Sequence, residues 1–193
     1  MILPQSHTLT TRHLNRVFDK TVATYKYYWF LGILDACVKQ GKSRINVWDI
    51  MISMVANAWY PVNYFRLSFG KSESLYDAII TLQREYNIPI NIGVNELTEL
   101  LQTLIQRREV RRLLNFLQMN VPFRFLRPWI DTSDDKQTVL RSQTFENGCL
   151  YKLERIDHIW WIELNPAWLP YLRENYDILT SFAYWGLDRK SVV

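Results

Sequence analysis

The sequence predicts a mainly α fold: a multi-helix domain over residues 1–120, then over 121–187 a small β-hairpin and helix that form a minor α+β part. Two observations lead there. Up to about position 119, apolar residues recur at the three- and four-residue spacing of buried helix faces. Beyond Pro122 they fall into short runs rich in β-branched and aromatic residues, punctuated by Asn147-Gly148 and Asp157-His158. With 193 residues and 48% hydrophobic content, the chain can bury a sizeable core. It has six glycines, none in a phosphate-binding loop, and neither repeats nor low-complexity segments.

Thr11 can cap a short helical turn carrying Leu14, Val17 and Phe18. A second helix runs from Ala23 to Gln40, and Gly41 ends it. Aromatic and aliphatic residues from Tyr25 through Leu34 cover nearly every side of that helix, which places it in the middle of the fold. Asn46 is the expected N-cap of a helix over Val47 to Trp59, interrupted at Tyr60 because the residue before Pro61 disfavours the helical region. Another helix starts at Ser72 or Ser74 and ends near Tyr86, ahead of Pro89.

From Asn95 to Met119 the pattern suggests one long helix until its faces are compared. Leu97, Leu100, Leu101 and Leu104 lie on one side, and Val110, Leu113, Leu114 and Leu117 lie nearly opposite. A straight helix would have to bury both sides, so a break is expected between Gln106 and Arg108. Thr138 to Phe145, Cys149 to Ile156 and Ile159 to Leu164 read as strands. Asn165-Pro166 opens a final helix from Pro166 through Trp185, with Pro170 tolerated only in its first turn.

Composition narrows the function classes. No apolar run reaches the roughly 18 residues that span a bilayer. The best candidate, Tyr27 to Val38, contains Asp35 and is flanked by Lys26 and Lys39. The N-terminus has no basic stretch leading into a short apolar run and no small-residue cleavage site, so a cytoplasmic location away from membranes is expected. Cys37 and Cys149 lie far apart and outside any CxxC pair, with only His7, His13 and His158 to supplement them as zinc ligands. They read as reduced, buried thiols. A net charge of +4 permits an acidic partner without demanding one.

The arginines of QRREVRR are the best candidates that the residues alone supply. Arg107, Arg108, Arg111 and Arg112 fall within an arc of about 140° on a helix, opposite the Val110/Leu113/Leu117 stripe, where they can face a phosphate backbone together. The alternative is a solvated helix face partly neutralised by Glu109 and Glu99. Arg66 and Lys71 are candidates to extend the patch. Asp157-His158 resembles the Asp-His start of a His-metal nuclease site, but that chemistry also needs an orienting asparagine and a second histidine or acid for the metal. No histidine follows His158, which therefore reads as a turn residue. No serine or cysteine has a positioned base, and Asp134 and Asp135 sit in a polar loop. The eight tryptophans read as core rather than a base-stacking platform. No catalytic residue, metal ligand or cofactor is assigned to this chain.

Two aromatic blocks, ATYKYYWFLGILD from Ala23 to Asp35 and MVANAWYPVNYFRLSFGK from Met54 to Lys71, hold ten of the chain's aromatic residues. Together with NVPFRFLRPW from Asn120 to Trp129 and NPAWLPYLRENYDILTSFAYW from Asn165 to Trp185, they make the chain resemble the N-terminal region of bacterial HNH endonuclease domain-containing proteins. In that group a long helical leader precedes a C-terminal HNH module, and the matching segments cover most of this chain in the expected order. The resemblance implies that the module cutting the phosphodiester is missing here and that a divalent metal belongs only to that module. It implies a leader, inactive alone, that positions nucleic acid (DNA ahead of RNA), docks the missing nuclease domain, or restrains it. The last six residues, Asp188 to Val193, coincide with one reading frame of a common sequencing-adapter oligonucleotide and are expected to be non-native read-through.

A helical protein-interaction module that senses a partner and gates an attached effector is the alternative. Exposed tryptophans in one patch favour it, whereas a continuous basic stripe favours nucleic acid. On a third reading, Phe182, Trp185 and Leu187 are core residues orphaned by a missing domain, and the isolated fragment aggregates.

Overall fold

The computed structural model describes residues 3–19, 24–64 and 74–189. The protein is mainly α, with a three-stranded antiparallel sheet as its minor β part. Helix α1 spans Arg12–Asp19 and buries Leu14, Val17 and Phe18. Helix α2, Tyr25–Leu34, is buried along nearly its whole surface and continues directly into a π-helical turn, Asp35–Lys39. The short strand β1, Arg44–Asn46, leads into α3, Val47–Asn63, where the Asn46 side chain accepts from Trp48 N. Then come α4 (Ser74–Glu85), α5 (Val94–Leu104) and α6 (Arg108–Leu126).

Helix α7 (Asp135–Ser142) precedes β2 (Tyr151–Ile156) and β3 (Ile159–Leu164). A 3-10 turn, Pro166–Trp168, opens α8 (Leu169–Glu174), and α9 (Tyr176–Asp188) follows. Among the described residues, no helix is long and apolar enough to cross a membrane.

Helix α2 is the axis of the fold, packing against α1, α3, α6 and α9. Two glycines permit the closest approaches. A Cβ on Gly32 would lie 2.8 Å from Ile50 Cγ2 in α3, and one on Gly186 in α9 would lie 2.2 Å from Tyr27 Cε1. Asp35, the carboxylate in this apolar helix, accepts from the Tyr176 hydroxyl at 2.8 Å and pairs with Lys39 Nζ at 2.8 Å.

The sheet has the order β1-β3-β2, with Arg44 opposite Glu163 and Tyr151 opposite Leu164. Tyr151, Leu153, Ile162 and Leu164 point into the core. On the outer face Glu154 pairs with Arg44 at 2.9 Å and Lys152 at 3.4 Å, and Lys152 also reaches Glu163 at 3.2 Å. The free edge of β2 is covered by the end of α7: Ser142 Oγ accepts from Leu153 N, and Gln143 Nε2 donates to Leu153 O.

Several expectations need correction. Thr138 to Phe145 is not a strand: α7 occupies most of it, because the Asp134 side chain accepts from Lys136 N at 2.8 Å and Gln137 N at 3.3 Å and so nucleates a helix. Pro61 does not stop its helix, since α3 runs on to Asn63 with Trp59 and Val62 buried on its core side. Likewise α6 passes through Pro122 to Leu126, where burial of Val121, Phe123, Phe125 and Leu126 outweighs the proline cost of roughly 3 kcal/mol.

The final helix is three segments, divided at Asn175, whose backbone leaves the helical region at φ −110°, ψ 17°. The boundary expected after residue 120 falls inside α6, strand β1 of the first part pairs with β3 of the second, and one cluster of buried side chains runs through both. Phe182 and Leu187 are buried in the chain's own core rather than orphaned, while Trp185 is exposed. Asp188 closes α9, and residues 190–193 of the expected tail lie outside the described residues, as do Ala23 and Ser72.

Candidate nucleic-acid interface

The break expected between Gln106 and Arg108 is present, and it sets the geometry of the arginine cluster. Helix α5 ends at Leu104 after burying Leu97, Leu101 and Leu104, and α6 begins at Arg108 on a new axis that buries Val110, Leu114 and Leu117. Arg107 occupies the N-cap position but supplies no side-chain cap. The first amide to find a helical partner is that of Arg111, which donates to Arg107 O at 3.1 Å. The preceding amides therefore point out of the helix end, where the macrodipole is positive.

The four arginines divide into two pairs. Arg111 turns inward: its Nε donates to Ile105 O at 2.8 Å, its Nη2 donates to Gln106 Oε1 at 3.2 Å, and its guanidinium lies 5.6 Å from the Trp48 ring centroid. It thus closes the C-terminal end of α5, where a cation is favoured. Arg107 rests over the Tyr86 ring at 5.6 Å. Arg108 and Arg112 are exposed and form no ion pair among the described residues. The carboxylate beside them, Glu109, is exposed and bridges to neither. Arg66 and Lys71, expected to extend the patch, lie outside the described residues.

The structure adds cations that sequence position did not connect. Arg108, Arg112, Asn115, Phe116 and Met119 share an arc of about 100° on α6. Phe116 is 49% exposed and Met119 39%. Arg124, two turns further on, lies with its guanidinium 5.9 Å from the Phe116 ring centroid and donates to the Tyr25 hydroxyl at 3.5 Å. Beyond it lie Arg127 and, from α2, Lys26. Lys26 Nζ donates to Val17 O at 3.2 Å, and burial, then the charges of Arg127 and Arg124, push its ammonium below the usual lysine range. Helix α1, with exposed Arg12 and Arg16, is held alongside by His13 Nδ1, which donates to Pro128 O at 2.6 Å. Extending the helical wheel of residues 107–112 brings Phe116 near the border of the arginine arc but puts Arg124 on the side of the Val110/Leu113/Leu117 stripe, so neither Arg124 nor Lys26 has a signal in the sequence.

The remaining candidate groups are occupied by structure. Asp157 and His158 form the exposed β2–β3 turn, with left-handed φ of 49° and 66°. Among the described residues no three His, Cys, Asp or Glu side chains converge as a metal site. Both cysteines are free and buried, and burial pushes the Cys149 thiol up to about 12. Of the eight tryptophans only Trp185 is exposed, at 38%. No protein-family model, curated protein or solved structure matches this chain.

Proposed function

We propose that this chain is the nucleic-acid-engaging leader of an HNH-endonuclease-like protein, with phosphate contacts made by the exposed face of α6. The observation that carries the reading is the state of Arg108 and Arg112: two exposed guanidiniums in the first two turns of a helix, with no carboxylate partner among the described residues. Cations at that end oppose folding of the helix, whereas a bound phosphate would be favoured by the side chains, the helix-end amides and the dipole together. Arg124, Arg127 and Lys26 continue the positive charge at the other end of α6. Five of the eight tryptophans are buried and only Trp185 is exposed, which weighs against a docking surface built of indoles. The link to an HNH nuclease is supported by the four sequence segments, which supply much of the core as α2, α3, the end of α6 and α8–α9.

The test is fluorescence anisotropy with labelled oligonucleotides across a salt series. Reversing both charges, Arg108→Glu with Arg112→Glu, is expected to weaken binding at least tenfold and to flatten the dependence of log K on log salt by about two. Unchanged affinity and slope in the double variant would overturn the proposal.

A further inference from the structure

We infer that the nucleic acid taken by this face is an unpaired strand, with a base stacked on Phe116 and flanking phosphates held by Arg108 and Arg112 on one side and by Arg124, Arg127 and Lys26 on the other. The inference rests on the phosphate-binding reading of α6 and adds the substrate class.

Two observations separate an unpaired strand from a duplex. A helix that reads the major groove must protrude far enough to enter it. Helix α6 instead packs against α2, α3, α4 and α7, and its exposed residues, Arg108, Glu109, Arg112, Asn115, Phe116 and Met119, all lie before Asn120 on one side of the helix. Past Asn120 it is almost wholly enclosed, with Val121, Pro122, Phe123, Phe125 and Leu126 all buried. Such a face can receive a strand laid along it, whereas the enclosed half past Asn120 has no free side to offer a groove.

The second observation is the chemistry of the arc. Between the two cationic ends stand Phe116 and Met119, both well exposed. Duplex DNA presents phosphates and base edges, to which a phenyl ring and a thioether add little. An unpaired strand presents the π-faces of its bases, and stacking on an aromatic ring is the interaction that such strands have and duplexes lack. The Arg124 guanidinium lies over the Phe116 ring, 5.9 Å from its centroid, so a base stacking on Phe116 would take the other face of the ring with this cation beside it. From Arg108 to Arg124 the helix rises about 24 Å, the length of roughly seven stacked nucleotides.

The experiment compares a fluorescein-labelled ten-residue oligothymidylate with a mixed-sequence twenty-base-pair duplex at one salt concentration. It uses the full chain and its Phe116→Ala, Phe116→Tyr and Arg108→Glu/Arg112→Glu variants, each first checked for native helical content by circular dichroism. The wild-type chain is expected to bind the single strand at least tenfold more tightly than the duplex. Phe116→Ala should weaken single-strand binding by about five- to a hundredfold and leave duplex binding unchanged, while Phe116→Tyr keeps wild-type affinity.

Equal or tighter duplex binding, or a Phe116→Ala variant that holds the oligothymidylate as wild type does, overturns the inference. The arginine reading survives either result so long as the double charge reversal still weakens binding. If the wild-type chain binds neither probe, both readings fall, and a protein partner becomes the occupant to pursue.

Discussion

The Tyr151 hydroxyl donates to the Pro122 carbonyl at 2.7 Å while accepting from Trp29 Nε1 at 3.2 Å, all within the buried core. A strand, a helix end and the central helix are thereby joined by one oxygen. Burial holds this phenol neutral, far above the usual tyrosine range. Tyr151→Phe keeps the ring contacts with Trp29 and Phe125 but leaves the buried Trp29 N–H without a partner. The expected cost is about 1–3 kcal/mol, read as a lower urea midpoint at unchanged slope. A loss below about 0.5 kcal/mol would show that the hydroxyl is dispensable.

At Gly186 the expected effect is steric. An added Cβ would sit 2.2 Å from Tyr27 Cε1 and 2.5 Å from Cζ, so Gly186→Ala must push α9 off α2 or turn the Tyr27 ring. Overpacking of this kind costs about 1–3 kcal/mol. In a Tyr27→Leu background the same substitution should cost measurably less, and a double-mutant cycle by urea denaturation gives the coupling. Additive effects would place the clash elsewhere.

Alkaline pH should unfold the protein through groups that the native state keeps neutral. Burial raises the Cys149 thiol from 9.0 to about 12 and the Tyr171 phenol, which donates to Pro4 O at 2.8 Å, from 10.0 to about 12. In the unfolded chain both ionise at the lower values, so the stabilisation is complete below pH 9 and is lost progressively as pH rises toward 12. Circular dichroism at fixed moderate urea should show the decline beginning near pH 9. Ellman's reagent should find neither thiol reactive in the native protein below that pH.

Stability and binding should move in opposite directions at Arg108. Placing a carboxylate in the first turn of α6 by Arg108→Glu favours the helix dipole and should raise stability by about 0.3–1 kcal/mol in low salt, while weakening oligonucleotide binding. Arg111→Ala should do the reverse, losing about 1 kcal/mol with its bond to Ile105 O and its place over Trp48, and changing binding little. Loss of stability in Arg108→Glu would show that this arginine serves the fold.

What sequence made legible follows from how local each determinant is. The α5–α6 break is visible because the buried stripe changes sides within a dozen residues, and the β2–β3 hairpin because its turn residues and alternation are contiguous. Asn46 and Asn165 announce helix starts by their own side chains, which accept from Trp48 N at 2.8 Å and Ala167 N at 3.0 Å. Strand β1 was hidden because three residues carry no period, and its structure comes from β3. Thr138 and Val139 favour a strand locally, and only the Asp134 cap reverses that preference.

In the candidate interface the helical wheel puts four arginines on one arc, but it cannot show that Arg107 stands outside the helix as its extended N-cap or that Trp48 and Ile105 take Arg111 out of the group. Lys26 joins the surface only through the packing of α2 beside α6.

The pairing of β1 with β3 also orders events during synthesis. The Trp29–Tyr151 bond spans 122 residues and the Tyr171–Pro4 bond spans 167, so neither can form while the ribosome is still adding the hairpin. At roughly 5–20 residues per second, α2 and its neighbours wait on the order of ten seconds before the segment that seals them emerges. Throughout that interval the most apolar helix of the chain stands with one side uncovered. Yield in cells should therefore respond to chaperone supply and growth temperature more steeply than the stability of the finished protein would suggest.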